Sequence, residues 1–425
     1  MPNRRLIPVE LAAQLAEDAA ERLFRYVQID TQSDEDSEAY PSTEKQLDLL
    51  RLLLDELKQA GLADAQIDEH GYVTATLPAT VSGEIPTIAF FAHVDTAREV
   101  TGANVRPQRI RYEGGDIPLG SSGNVIRPAE SPQLPAHVGH ELITTDGTTL
   151  LGADDKAGVA EIMAAAAYLA AHPEIPHGTI KVAFNPDEEI GRGVIHFPVE
   201  SFGAHAAYTM DGSTIGEIQE ETFSGAQVRI RIHGRSIHPG LAKGELVNAI
   251  KLAAQIVARL PKDRLSPETT ADREGYVHPV LVNGDSSEVE LRLIVRDFDD
   301  DELDRSIEFL RGIADEVAAA EPRASIEFES RIQYRNMRAT LERHPEIVEN
   351  LEEAVRRIGF EPRRTAIRGG TDGSALTEMG LPTPNIYTGG QDAHSEREWI
   401  CIEDMGLAAA TIVELAKVWA SQRHH

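Results

Sequence analysis

Pro86-Thr87-Ile88-Ala89-Phe90-Phe91-Ala92 is apolar at nearly every position and stops at His93. A run this continuous predicts a strand buried on both faces. That is the habit of a parallel sheet, because a sheet with one wet face alternates apolar and polar residues instead. Working outward, Thr179-Ile180-Lys181-Val182-Ala183-Phe184 reads as a second strand, ending in Asn185-Pro186-Asp187-Glu188-Glu189. His205-Ala206-Ala207-Tyr208-Thr209-Met210 is a third, ending at Asp211. Pro384-Asn385-Ile386-Tyr387-Thr388 is a fourth, followed by Gly389-Gly390-Gln391-Asp392-Ala393-His394. An alanine-rich segment from Asp154 to His172 predicts a helix, and amphipathic helices are expected over 8–30 and 43–60. Gly61 stops the last of these, and Thr43 with Gln46 three residues on resembles a capping box at its start. Strands separated by helices predict an α/β domain whose mixed, largely parallel sheet is sandwiched by helices.

A different pattern fills the middle of the chain. Gln227-Val228-Arg229-Ile230-Arg231-Ile232 alternates strictly, and a helix is expected from about Leu241 to Leu260. Strand patterns follow near 276–282 and 288–297, then a helix over 300–320 and the strand Ser325-Ile326-Glu327-Phe328-Glu329. This β-α-β-β-α-β order is ferredoxin-like. It divides the chain into a discontinuous larger α/β domain, 1–222 with 334–425, and an inserted α+β domain, 223–333. The Gly/Pro-rich stretch 101–140 is too long for a plain connection and predicts a functional loop region with a small hairpin.

Bulk properties narrow the function. A chain of 425 residues exceeds one ordinary core, in keeping with two domains. The net charge of −29 repels nucleic acid and anionic membranes, so neither is expected as a partner. Met1 to Glu21 lacks the apolar core of a signal peptide, and no apolar run is long enough to span a bilayer. The single cysteine, Cys401, excludes an intrachain disulfide and a zinc cluster built from thiolates, and fits a reducing cytoplasm. His424 and His425 are either native or the remnant of a tag.

The chemistry gathers at strand ends. His93 with Asp95, Glu188 with Glu189, Asp211, and His394 all follow predicted strands, and Asp154 opens a helix. In open α/β sheets ligands bind beyond the carboxyl ends of the strands, so residues far apart in sequence converge on one rim. The imidazoles of His93 and His394 with the carboxylates of Asp154, Glu189 and Asp211 form a ligand set for a pair of Zn²⁺ ions, or of Mn²⁺ or Co²⁺. Asp95, two positions after His93, lies on the same face of a strand and can orient the imidazole. Glu188 and Glu189 are adjacent, so one can bind metal while its neighbour stays free to take a proton from metal-bound water. Singly, each feature has a structural explanation: a solvated Glu-Glu pair, an Asp that caps a helix, an Asp-Gly turn. The joint pattern is what points to hydrolysis.

Ala92-His93-Val94-Asp95-Thr96, Gly152-Ala153-Asp154-Asp155-Lys156-Ala157-Gly158, Pro186-Asp187-Glu188-Glu189-Ile190-Gly191 and Thr209-Met210-Asp211-Gly212 resemble the peptidase T family of tripeptide aminopeptidases. That family belongs to the aminoacylase/carboxypeptidase G clan of dinuclear zinc hydrolases. The likeness continues through Ile237-His238-Pro239-Gly240, Ile294-Val295-Arg296-Asp297 and Ile367-Arg368-Gly369-Gly370-Thr371-Asp372-Gly373. The resemblance implies two zinc ions per subunit, bridged by Asp154. His93 and Asp211 would complete one site, and Glu189 and His394 the other. Asp95 would orient His93, Glu188 would be the general base, and the Asp154–Asp155 peptide would be cis. An Asp at position 211 goes with aminopeptidases in this clan.

Further roles follow from the same resemblance. His238 would reach the partner subunit's active site and stabilise the developing oxyanion, in a homodimer formed through the inserted domain. On its own, His238 before Pro239 reads as a surface or capping histidine. Arg368 is a candidate clamp for a peptide's C-terminal carboxylate, which its planar fork binds bidentately. Asn283 is a candidate substrate contact. The expected substrates are short peptides with a free N-terminus. The alternatives are a related amidohydrolase of N-acylated amino acids and an inactive metal-binding homologue.

Overall fold

The structure is a computed structural model that describes residues 9–421; Arg4, Arg5, His424 and His425 lie outside them. The chain forms two compact units. The first runs to Glu220 and is completed by Ala339–Thr365 and the chain from Thr371 onward; the second comprises Glu221–Arg338 with Ala366–Gly370.

Twelve strands build the two main sheets: β1 (Gln66–Ile67), β2 (Val73–Leu77), β3 (Ile88–His93), β4 (Ile180–Asn185), β5 (Ala206–Gly212), β6 (Glu217–Thr222), β7 (Ser224–His233), β8 (Tyr276–Gly284), β9 (Glu288–Asp297), β10 (Ser325–Tyr334), β11 (Arg363–Ile367) and β12 (Asn385–Tyr387). The larger sheet has the order β1-β2-β4-β3-β5-β12-β6-β11. Its centre is parallel, β4 with β3, β3 with β5 and β5 with β12. β2 beside β4 and β6 beside β12 run antiparallel. The sheet is therefore mixed and largely parallel at its centre, as the apolar strand patterns predict.

Every residue of β3 is buried, so each face of the sheet is covered. Ala89 and Phe91 pack on one face with Phe197, Phe202 and Leu376. Phe90 stacks on Tyr208 at 5.8 Å between ring centroids. The helix Ala153–Ala171 lies against β3 and β5 and against the terminal helices Val9–Tyr26 and Ile402–Ser421. Gly158 permits this close approach, since a Cβ there would sit 2.2 Å from the Met210 carbonyl oxygen and 2.5 Å from Asp155 Oδ1. A smaller sheet joins Gln108–Arg111, Glu141–Thr144, Gly390–Gln391 and Trp399–Cys401, and a short hairpin pairs Ile117–Pro118 with Val125–Ile126.

The second unit has the sheet order β8-β9-β7-β10, all antiparallel, with helices Ala249–Ala258 and Asp300–Ala320. Val228, Ile230 and Ile232 of β7 face these helices through Leu252, Ile256, Leu303 and Leu310. The alternate residues Arg229 and Arg231 stay half-buried on the other face, which accounts for the strict alternation in the sequence. This is the ferredoxin-like arrangement. The first of its helices starts later than its sequence pattern suggests. Gly244 takes a positive φ of 78°, and Asn248 caps the helix by accepting from Lys251 N at 3.1 Å. Only a 3-10 turn, Pro239–Leu241, precedes it.

Candidate metal centre

The carboxyl ends of the parallel strands carry the site. His93 closes β3, with its imidazole Nδ1 3.2 Å from Asp95 Oδ1. Asp95 is fully buried, and its carboxylate also accepts from Glu188 N at 2.9 Å and Glu189 N at 3.2 Å. It therefore does two jobs: it turns Nε2 of His93 toward the site and fixes the backbone of the Glu188–Glu189 pair. Sequence spacing indicated only the first. Asp187, just before that pair, takes a positive φ of 61°. Its carboxylate accepts from Ser42 N at 2.7 Å and Gln46 Nε2 at 2.7 Å, and its N–H donates to Gln46 Oε1 at 3.1 Å. Gln46 thus ties the helix Gln46–Gln59 to the Asp187–Glu189 loop, and no side chain caps that helix. The capping box read from Thr43 and Gln46 is corrected accordingly.

Asp154 lies between two imidazoles. Its Oδ1 is 3.3 Å from His93 Nε2 and its Oδ2 is 3.3 Å from His394 Nε2. Asp211, near the end of β5, brings Oδ1 to 3.9 Å from His93 Nε2. Glu189 Oε1 is 3.1 Å from His394 Nε2. The ligating atoms of His93, Asp154 and Asp211 lie within 4.8 Å of one another, and so do those of Asp154, Glu189 and His394. Two sites sharing Asp154 are what a pair of cations joined by one carboxylate requires, so the donor set fits two divalent ions of the zinc type.

His394 departs from its expected placement. It does not end β12; it stands on a turn between Gly390–Gln391 and Trp399–Cys401, at a positive φ of 59°. The Asp154–Asp155 peptide is cis. The helix Ala153–Ala171 takes regular geometry only after both residues. The loop before it is held by Glu398, a buried carboxylate that nothing in the sequence pattern distinguished. Glu398 Oε2 accepts from Leu151 N at 2.8 Å and Gly152 N at 2.7 Å, and Oε1 from Asp154 N at 3.0 Å. Asp372 was also missed as a site residue: buried at the start of Asp372–Glu378, it accepts from Asn185 Nδ2 at 2.6 Å. Its only sequence cue is Thr371, whose side chain caps that helix.

Glu398→Ala removes the carboxylate that accepts from three backbone N–H groups of the Asp154 loop. The expected result is a roughly 10–100-fold loss of metal affinity, the usual cost of losing an outer partner of a ligand. Metal-competition titration against a chromophoric chelator checks it, and unchanged affinity in a folded variant contradicts it.

The electrostatics call for cations. Burial pushes the Glu189 carboxyl up to about 7, and the Asp154 charge adds to this. Burial and then Asp154 raise Asp211 well above the ordinary carboxylate range. Burial pushes the Glu188 carboxyl well above it too; His93 opposes, while Asp211, Asp372 and Glu189 push the same way. Hydrogen bonds to Asp154 and Glu189 draw His394 up to about 11. At neutral pH the metal-free site thus holds protons that an incoming cation must displace. Zinc binding is expected to release protons and to tighten as pH rises from about 6 to about 8. Calorimetry in buffers of different ionisation heat measures the release, and a pH-independent affinity contradicts it.

Three residues lie in the second unit. His238 is exposed and caps the Pro239–Leu241 turn, its Nδ1 accepting from Gly240 N at 3.1 Å. Nδ1 as acceptor leaves the ring proton on Nε2, a donor. Arg368 donates to the carbonyl oxygens of Asp272 at 2.7 Å and Glu274 at 2.9 Å and to Thr270 Oγ1 at 3.1 Å. Its guanidinium also lies over the Phe223 ring, 5.1 Å from the centroid. Its fork is therefore engaged with the 270–274 loop. Asn283 is exposed on β8, an edge strand.

A largely parallel α/β sheet with this donor set at its strand ends, joined to a ferredoxin-like unit, defines the architecture of a dinuclear metallopeptidase. Residues 141–418 match peptidase family M20/M25/M40. The chain is 50% identical over 94% of its length to peptidase T of Bacillus velezensis, of which it covers 98%. It aligns with the crystal structure of aminopeptidase PepT from Bacillus cereus with a TM-score of 0.73 and 25% identity, over 96% of this chain and 99% of that one. The YXEP protein of Bacillus subtilis, a dinuclear metal-binding peptidase, shares the fold with a TM-score of 0.62 at 17% identity, over 95% of this chain and 98% of that one. The chain belongs to peptidase family M20/M25/M40, in its peptidase T branch.

Proposed function

We propose that this peptidase is a two-zinc aminopeptidase that removes the N-terminal residue from tripeptides and other short peptides. The observation that carries the reading is the Asp154 carboxylate facing His93 on one side and His394 on the other, with Glu188 close by and outside both ligand groups. His93, Asp154 and Asp211 would hold one ion, and Asp154, Glu189 and His394 the other. Bound there, the ions supply Lewis acidity, lowering the pKa of water from about 15.7 towards about 7 and polarising the scissile carbonyl. Glu188, its pKa raised well above the ordinary carboxylate range by burial, takes the proton from the attacking water and passes it to the leaving amine. Asp95 keeps His93 in the tautomer that presents Nε2. Asp211 and the surrounding carboxylates favour a free, positively charged α-amine on the substrate.

The same reading gives His238 of one subunit the task of donating Nε2–H to the oxyanion in its partner's site. The homodimer would form through the second unit, where Val280 and Val282 are exposed on edge strand β8 and Ile250 on the helix Ala249–Ala258. Asn283 would touch substrate from that unit. Arg368 would take the peptide's C-terminal carboxylate by exchanging its carbonyl partners for a bidentate one. Arg368→Ala is then expected to raise KM for tripeptides by about 10-fold or more while barely changing KM for tripeptide amides. An equal effect on both contradicts the clamp. The enzyme would act in the cytoplasm, consistent with its single reduced cysteine; among the described residues no helix is long and apolar enough to cross a membrane. A panel of tripeptides against N-acetylated amino acids tests the activity itself. Turnover confined to the acylated substrates would replace this reading with an amidohydrolase.

A further inference from the structure

A second group of ligand-type side chains lies away from the strand ends. His137 ends the 3-10 turn Leu134–His137, His140 precedes the strand Glu141–Thr144, and Cys401 ends the strand Trp399–Cys401, which pairs with it. One ligating atom from each lies within 4.8 Å of the other two. His140 Nδ1 is 3.5 Å from His137 Nδ1 and 3.9 Å from Cys401 Sγ. Around a tetrahedral zinc, bond lengths of about 2.05 Å to nitrogen and about 2.3 Å to sulfur put ligand atoms about 3.3–3.6 Å apart. The observed separations are within a few tenths of an ångström of that.

The group has a carboxylate on each flank. Glu403 Oε2 is 3.3 Å from Cys401 Sγ, and Glu403 is held in place by accepting from Glu141 N at 3.2 Å. His137 Nε2, on the far side of its ring, is 3.7 Å from Asp404 Oδ2. A histidine that offers one nitrogen to a shared centre and the other to a carboxylate is the usual arrangement of a metal ligand. His93 with Asp95 shows it in the main site. His140 Nδ1 faces both the His137 imidazole nitrogen and the Cys401 sulfur. Cys401 is fully buried and the His137 side chain is 12% exposed, so the convergence is not a chance meeting of surface groups.

We propose that His137, His140 and Cys401 form a separate structural site for one zinc-type divalent cation. Binding replaces the thiol proton of Cys401, which leaves to solvent, and the thiolate becomes a ligand. The site clamps the 134–141 segment to the strand Trp399–Cys401. That strand begins next to Glu398, the carboxylate that holds the Asp154 loop, so the cation would stiffen the support of the catalytic centre without touching substrate.

Cys401 is the only cysteine in the chain, which makes the test specific. The full-length protein is stripped of metal and titrated with Co²⁺ while its near-ultraviolet absorption is followed. The proposal expects three equivalents bound per chain and an intense thiolate-to-cobalt charge-transfer band accompanying one of them. Cys401→Ser and, independently, His140→Gln should each lose that band and one equivalent while keeping the other two. Asp154→Asn should do the reverse, losing cobalt from the dinuclear centre and keeping the band. Binding of two equivalents with no band overturns the proposal, as does a third equivalent without one. Because the band reports only the sulfur site, failure of the two-ion reading would instead appear as a single equivalent with the band intact.

Discussion

Glu188→Gln is expected to lower kcat for tripeptide hydrolysis by about 10²–10⁴-fold while the protein keeps both ions of its dinuclear centre. The reason is local. Glu188 is adjacent to Glu189 but belongs to neither ligand group, and Asp95 fixes the backbone of both residues. The amide of glutamine preserves shape and cannot accept a proton at neutral pH. KM should change little, because the lost interaction is a proton transfer in the transition state. Activity within about tenfold of the parent, with metal content intact, would remove Glu188 from the role of base. A variant that loses metal would show that Glu188 serves as a ligand instead. Metal analysis and steady-state kinetics on one preparation separate these outcomes.

Asp154→Ala is expected to lose more. Asp154 is the one residue shared by both ligand groups, and each of its oxygens faces a different histidine. Removing it leaves His93 with Asp211 and His394 with Glu189, two donors for each ion where stable zinc sites use three or four. Hydrolysis should fall to the background of the assay at any practical metal concentration, with both dinuclear ions lost together. Retention of one tightly bound dinuclear ion with partial activity would contradict the shared role. The fold should survive, because Asp154 precedes the regular part of its helix and the core packing of Ala157, Val159 and Ala160 is untouched.

Much of this was legible in the sequence for a simple reason. Strands buried on both faces, such as Ile88–His93, leave an unbroken apolar run, and an open α/β sheet places ligands at the ends of such runs. His93, Glu189 and Asp211 follow from that rule alone. The ferredoxin-like unit was visible because one face of β7 is buried and the other is not, which writes a period of two into the chain.

What the sequence concealed depends on contacts between distant segments. Glu398 is nearly 250 positions from the loop it holds, with separations of 244 to 247 along the chain. A lone glutamate before Trp399-Ile400-Cys401 carries no signature of that task. Gln46 looked like half of a capping box because its spacing from Thr43 is right; its side chain was instead claimed by Asp187, 141 positions away. The late start of the helix at Ala249 was legible in principle from Gly244 and Asn248, a breaker and a cap that outweigh the apolar periodicity. His394 is a ligand candidate because it follows the last predicted strand, yet its left-handed turn is not legible in Gln391-Asp392-Ala393. The histidines of the 101–140 region and Cys401 form no motif along the chain; folding brings them together.

The most direct test of the two-metal aminopeptidase is mass spectrometry of the products released from a tripeptide by the native, the metal-stripped and the zinc-restored protein. The account predicts a free N-terminal amino acid and the remaining dipeptide from the native protein, no turnover after stripping, and recovery of the same products on adding zinc. Hydrolysis that persists in the stripped protein, or release of the C-terminal residue instead, would contradict it.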